Sequence, residues 1–405
     1  MLRLVLLIVL ITHCISSYRI EGFHSKQSKS SQQSIARASS TSQPKVTGAK
    51  GSSIRSPEAI QSATLFASQS SIESPGMPKK QSSSSLIPES VQIGINFGLW
   101  YLISAFYNIF NKQALNNLEL PVLVATVQMG TGLFLFVPAW ILKLRETPFS
   151  TAKEAFDVMW LLKSVAAFAT LSHIAGVIAL GSGTVSFTQV VKSAEPIFTA
   201  AIAAIFTRQF LSWQSYMSLV PVIVGVSLVS ANELTFSWYC LTAGFLSNLF
   251  AAARSVFGKL QMCGDMKCIE EISPGNYYSV ITILSLIMLI PITAVMEGGK
   301  ILQLIESLKA GGPVAMKLNA GLRQSFYSGL LFYMYNELSF TVLNKVNPVT
   351  HAIANTLKRV VIILSSVLAF HNPLNLQGKI GSTISIVGLF IYSMAEYYTK
   401  KKKTA

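Results

Sequence analysis

The sequence predicts an all-α membrane protein of ten transmembrane helices arranged as two inverted five-helix repeats. Three observations predict it. Hydrophobic residues make up 51% of the 405-residue chain and charged residues only 12%, with mean hydropathy +0.49, far from the balance of a soluble domain. From Val91 onward, apolar stretches recur near the roughly 20 residues that a bilayer demands. The segment VIVGVSLVS at 222–230 also matches SIVGLFIYS at 385–393.

The N-terminal residues stand outside that fold. Residues 1–17 hold one Arg, the run LVLLIVLI and then small residues, the plan of a signal peptide and too short for a comfortable span. Residues 18–90 are rich in Ser, Gln, Lys and Arg and nearly free of acid, so they build no core and read as a transit-like segment, removed on import. A signal followed by a transit-like segment resembles the two-part address of plastids of secondary origin; a secretory signal with a disordered luminal tail is the alternative. The transporter domain runs over 91–398, and 399–405 form a basic tail.

Spans are expected near 92–114, 121–143, 158–180, 183–206, 213–230, 237–259, 276–297, 324–345, 349–370 and 378–398. Several connections are a few residues long, so neighbouring helices pack antiparallel. Residues 298–321, with Gly311-Gly312-Pro313, read as a longer polar loop. The repeats cover about 91–230 and 237–398. Lys192 lies 33 residues before Gly225 and Lys358 lies 30 before Gly388, so each copy carries a Lys at a similar place. Five is odd, so the second copy enters the membrane from the opposite side, which puts a substrate site near the midplane between the halves. Chance likeness among apolar helices is the competing explanation, and the aligned lysines count against it.

A net charge of +15 suggests nucleic acid in a soluble chain, but here the excess sits in the N-terminal segment, short loops and the tail Lys400–Lys403, where it fits lipid headgroups and orientation. The four cysteines (Cys14, Cys240, Cys263, Cys268) make no disulfide framework and no paired metal motif. No cofactor is implied. An enzyme would need a nucleophile or acid–base constellation, and His173 has no paired carboxylate in its own span.

Charges inside the spans carry the functional argument. An ionised Lys or Arg at mid-bilayer costs roughly 2.5–3.5 kcal/mol, so it faces the bundle interior with a partner or a ligand. Lys192, Arg254, Lys358 and Arg359 qualify by position, and Lys112 sits near the end of the first span. The acids at similar depth are Glu195 and Glu337. Glu195, three residues after Lys192, is placed to pair with it on one helix face. That pairing leaves further cations unmatched, and an anion that comes and goes explains them. Arg offers a planar fork to two phosphate oxygens and Lys a compact charge, and adjacent Lys358 and Arg359 are long enough to converge on one group although about 100° apart. Tyr335 and His173 supply polar contacts, either to a ligand or between helices.

NFGLWYLISAFYNIFNKQ, LSHIAG with SFTQVVKSAEP nineteen residues after its His counted to Lys192, FYMYNELSF, and NPVTHAIANTLKRVVIILSS followed by SIVGLFIYS resemble the plastidic phosphate translocators. These form the triose-phosphate translocator branch of the drug/metabolite transporter superfamily. The resemblance covers residues 91–398, and its most specific motifs are SFT-x-x-x-K-x-x-EP and N-x-x-KR-V. It implies that Lys192, Lys358, Arg359 and Tyr335 hold a phosphate group, and it links His173 and Arg254 to the rest of the substrate. Lys112 and Glu337 are secondary candidates. The implied activity is strict exchange of inorganic phosphate for a phosphorylated sugar or acid, in the envelope membrane of a plastid, without a coupling ion.

Departures from the family bear on the substrate. Triose-phosphate members usually carry Ser or Thr three residues after the His, where this chain has Gly176; hexose- and pentose-phosphate members have Ala. His173 argues against the phosphoenolpyruvate branch, PVTHAIAN resembles the triose branch and KSAEP the pentose branch. Glu337 replaces a family Gln and is placed to pair with Arg254 or Lys112. Phosphorylated C3 compounds, triose phosphate and 3-phosphoglycerate, are the expected counter-substrates. The alternatives are C5 or C6 sugar phosphates, or a nucleotide-sugar-type carrier of the same superfamily.

Overall fold

The computed structural model describes residues 89–149, 151–208, 210–232, 237–262, 272–343, 346, 348–371 and 375–404. The signal-like and transit-like residues 1–88, and Cys14, Cys263 and Cys268 with them, lie outside the described residues, as do the side chains of Lys400–Lys403.

The described chain is all helix: α1 (Glu89–Leu118), α2 (Pro121–Ile141), α3 (Ala152–Ser182), α4 (Val185–Lys192), α5 (Glu195–Thr207), α6 (Trp213–Asn232), α7 (Trp238–Met262), α8 (Pro274–Ala310), α9 (Gly312–Leu343), α10 (Pro348–Phe370) and α11 (Leu376–Thr404). Local chemistry sets the starts. Pro121, Pro274 and Pro348 open their helices, where a missing N–H is no loss. Thr151, Thr184 and Ser273 cap α3, α4 and α8, each hydroxyl accepting from the backbone N–H three residues on.

Nine stretches among the described residues are long and apolar enough to cross a membrane, with α4 and α5 together making one of them. The protein is an all-α, multi-pass membrane protein. The remaining helix, α9, carries Ser325, Ser328, Tyr333, Tyr335, Asn336 and Glu337, and it packs along α1 and α2 as the tenth crossing.

The polar loop expected at 298–321 is corrected: α8 continues to Ala310 and α9 starts at Gly312. Between its glycines the segment is rich in Leu, Ala and Lys, good helix formers, and Leu304 and Ala315 are buried while Leu302, Val314 and Met316 face outward. The chain turns at Gly311 and Gly312, at φ 72° and 82°, a region that glycine enters without steric penalty. With 37 residues, α8 is about 55 Å long, well beyond the bilayer core of about 30 Å.

Two halves are visible in the packing. Exchanging α1 with α7, α2 with α8, α3 with α9, the α4–α5 crossing with α10, and α6 with α11 carries the close α1·α9 pair onto α7·α3. It carries α2·α9 onto α8·α3, and returns α2·α8, α4·α10 and α6·α11 to themselves; all of these pairs are in contact. That is the pattern two inverted copies produce. The matching segments VIVGVSLVS and SIVGLFIYS are each other's packing partners on α6 and α11. A Cβ on Gly225 would stand 2.5 Å from the Ser385 amide nitrogen and 2.6 Å from the Gly381 oxygen, and one on Gly388 would stand 2.8 Å from the Val222 nitrogen. Only glycine lets the two backbones approach so closely.

Candidate functional site

Between the halves lies a cavity of about 330 Å³ whose wall includes residues of α1, α2, α3, α4, α5, α7, α8, α9 and α10. Its shape depends on a break in the fourth crossing. Pro196 has no N–H to give the Lys192 carbonyl and its ring clashes with that oxygen, so α4 stops at Lys192 and α5 begins at Glu195. The linking residues tighten into i to i−3 bonds: Ser193 N to the Val190 oxygen at 3.0 Å and Ala194 N to the Val191 oxygen at 3.1 Å. Asn248 Nδ2 of α7 donates to the Val191 carbonyl at 2.8 Å, and Ser193 Oγ meets Ser385 Oγ of α11 at 2.5 Å, so the break is braced by two helices of the opposite half.

Six of the sequence-predicted residues line this one cavity: His173, Lys192, Arg254, Tyr335, Lys358 and Arg359. Lys192 comes from the first half, Lys358 and Arg359 from the second. Lys358 Nζ stands 4.7 Å from the centre of the Trp100 ring and 5.6 Å from that of Tyr335, a cation held between aromatic faces. Arg359 is 8% exposed; its Nη2 reaches Glu195 Oε2 at 3.4 Å, and its Nε is buried without a partner. The ring of His173 packs 4.3 Å from that of Phe332, while its Nε2 is buried and unpartnered. Tyr335 packs on Tyr107 and Phe332, with ring centres 5.1 and 5.4 Å apart. A Cβ on Gly176 would meet Lys192 Nζ at 3.2 Å and Ser247 Oγ at 3.1 Å, so the absent side chain is the space in which the Lys192 ammonium rests.

Three pairings expected from the sequence are corrected. Glu195 does not share a continuous helix face with Lys192, because the helix breaks between them, and its hydrogen-bonded partner is Arg359 of the opposite half. Glu337 pairs with Arg145, in the α2–α3 connection, and not with Arg254 or Lys112. Lys112 donates to the carbonyl oxygens of Leu180, Gly181 and Gly183 at 2.9, 3.2 and 2.9 Å, the place of a C-terminal cap for α3. Neither Glu337 nor Lys112 lines the cavity.

Sequence reasoning passed over Trp100, Tyr278, Ser104 and Ser285. Tyr278 OH, Ser104 Oγ and Ser285 Oγ are buried without partners on the cavity wall. Neutral polar residues do not stand out in an apolar run; the one available signal was their spacing on a helix face. Among the described residues no cluster of His, Cys, Asp and Glu is arranged to hold a metal.

Among the described residues the cavity wall thus carries four cations and one carboxylate, a formal surplus of three. It also carries hydroxyl and imidazole groups with no protein partner. Buried surplus charge of that sign calls for an oxyanion, and the neutral donors and acceptors suit the remainder of a polar ligand.

Comparison with known proteins agrees with that chemistry. Residues 91–393 match the model of the Triose-phosphate Transporter family. The chain is 33% identical over 320 residues to the xylulose 5-phosphate/phosphate translocator, chloroplastic, of Arabidopsis thaliana, covering 78% of this chain and 72% of that one. It is 32% identical over 308 residues to phosphoenolpyruvate/phosphate translocator 2, chloroplastic, of the same plant, covering 76% and 78%. To the triose phosphate/phosphate translocator, non-green plastid, chloroplastic, of Brassica oleracea var. botrytis it is 31% identical over 329 residues, covering 81% and 79%. The chain belongs to the Triose-phosphate Transporter family, the plastidic phosphate translocators of the drug/metabolite transporter superfamily, whose members are transporters and not enzymes.

Proposed function

We propose that the protein exchanges inorganic phosphate for phosphorylated C3 compounds, triose phosphate and 3-phosphoglycerate, by alternating access across a plastid envelope membrane. The observation that carries this reading is the convergence of Lys192 from one half with Lys358 and Arg359 from the other on one cavity that holds a single carboxylate. A phosphate group bound there would touch both halves at once. Rocking the halves around an empty site would bury like charges together, whereas a bound dianion neutralises two of them and makes the occluded state accessible. Obligatory exchange follows from that difference. In this scheme Tyr335 adds a hydroxyl to the phosphate, while His173 and Arg254 take the carbon end.

Gly176 supports a second reading, exchange of C5 or C6 sugar phosphates, because the triose-type hydroxyl is absent there and the Lys192 ammonium takes its space. The test is uptake of labelled phosphate into liposomes preloaded in turn with triose phosphate, 3-phosphoglycerate, phosphoenolpyruvate, xylulose 5-phosphate and glucose 6-phosphate. Fastest exchange against the first two is expected, and fastest exchange against xylulose 5-phosphate would move the assignment to the second reading. Robust uptake into liposomes with a substrate-free lumen would overturn antiport itself.

The leader suggests the innermost membrane of a secondary plastid as the site of action, with residues 1–17 and 18–90 as successive targeting signals. A fluorescent protein fused behind residues 1–90 should reach the plastid, and one fused behind 1–17 alone should stop in the secretory system.

A further inference from the structure

We propose that Glu195 is a resident counter-anion of the site, holding the Arg359 guanidinium while the cavity is empty and yielding it when a phosphate group arrives. This rests on the phosphate-binding reading above. The contact itself is loose: one Nη2 to Oε2 approach at 3.4 Å, where charge-assisted bonds settle at about 2.7–2.9 Å and Arg–carboxylate pairs are often bidentate. The two ends differ in burial. The Arg359 side chain is 9% exposed, that of Glu195 is 34% exposed, and both face the cavity. Arg359 Nε is buried with no partner, so the guanidinium has a second donor waiting for an oxygen that Glu195 does not supply.

The fold also gives the carboxylate somewhere to go. Glu195 is the first residue of α5, at a helix N-terminus created by the Pro196 break, where negative charge is favoured whether or not Arg359 is engaged. Glu195 and Arg359 belong to opposite halves, so their contact bridges the cavity in the way a substrate phosphate would. As the one carboxylate that the described residues place on a wall with four cations, it lowers the positive potential that an incoming anion meets. Its role is to keep phosphate binding weak enough for release, and its removal should tighten binding and slow turnover together.

Glu195→Gln, purified and reconstituted, tests this against wild type. Expected are a KM for phosphate and a Kd, read by phosphate-dependent thermal shift in detergent, each lowered at least about threefold by the loss of a nearby negative charge, with kcat lowered as well. Glu195→Asp, which keeps the charge, should move both constants back toward wild type. A folded Glu195→Gln protein whose Kd is unchanged or raised overturns the proposal. Should that variant not fold, the infrared difference spectrum of wild type on adding phosphate decides: a shifted carboxylate band that moves again in Glu195→Asp is expected, and its absence overturns the proposal. Wild type that exchanges no phosphate at all would instead refute the transport reading on which this one rests.

Discussion

Arg145 and Glu337 form an ion pair that ties the connection after α2 to α9, one residue from each half of the transporter. The pair is well sheltered, with the two side chains 10% and 22% exposed. Gly275 of α8 comes up against the same cation, and a Cβ there would press on the guanidinium at 3.0 Å. Both α8 and α9 therefore meet one cation of the α2–α3 connection. Glu337→Gln should leave that cation without its counter-charge and lower stability by about 1–3 kcal/mol, between the value of an exposed pair and that of a fully buried one. Thermal unfolding in detergent measures it, and Arg145→Ala with Glu337→Ala together should lose less than the sum of the two single changes.

What could be read from the sequence follows from how conspicuous each feature is. A cation in an apolar run is conspicuous, so Lys192, Arg254, Lys358 and Arg359 could be named, and each lines the cavity. Partners are another matter. Lys112 and Glu337 were placed by depth alone, and depth does not say that the end of α3 or the α2–α3 connection arrives opposite them. The break after Lys192 was implicit in the KSAEP run, since a proline four residues on must free that carbonyl, but a continuous apolar span hides it. Polarity and Gly311-Gly312-Pro313 make 298–321 read as a loop, whereas helical propensity keeps α8 and α9 intact up to the two glycines.

Glycine packing between α6 and α11 should tolerate no side chain. A Cβ on Gly225 meets backbone atoms of Ser385 and Gly381, which cannot turn aside as a flexible side chain would. Gly225→Ala and Gly388→Ala are each expected to destabilise by about 1–3 kcal/mol, the usual range for overpacking, and Gly225→Val by more. Unfolding midpoints in detergent, compared with Gly98→Ala, where nothing stands within 4 Å, check the claim.

Lys112→Met should weaken the protein without touching its affinity for phosphate. Three carbonyl oxygens at the end of α3 lose a shared donor, at about 1–3 kcal/mol if they remain buried. A lowered unfolding midpoint with an unchanged KM is the expected pair of results. A raised KM with an unchanged midpoint would return Lys112 to the binding site.

Position 176 offers a direct handle on the phosphate end. Serine there would put a hydroxyl beside the Lys192 ammonium, with Ser247 Oγ at 3.1 Å and Lys192 Nζ at 3.2 Å from its Cβ, both side-chain ends that need to give by only a few tenths of an ångström. Gly176→Ser should fold and lower the KM for phosphate by about twofold to tenfold, the worth of one added hydrogen bond. Gly176→Val should push Lys192 aside and abolish exchange. Both are read from initial rates of phosphate homoexchange in liposomes.

Trp100 is expected to hold Lys358 in place for the substrate. The ring is 1% exposed, with the Lys358 ammonium 4.7 Å from its centre and the His351 ring stacked at 5.0 Å. A cation on an aromatic face is stabilised by about 0.5–2 kcal/mol, and indole is the strongest of the three faces. Trp100→Phe keeps a weaker face and should raise the KM for phosphate about twofold to fivefold, while Trp100→Leu removes the face and should raise it further. Both substitutions also shrink a packed side chain, so stability falls in the same order. The two effects separate in a Lys358→Met background: there the Trp100 changes should still lower the unfolding midpoint but add nothing more to the loss of phosphate affinity, because the cation they act on is gone.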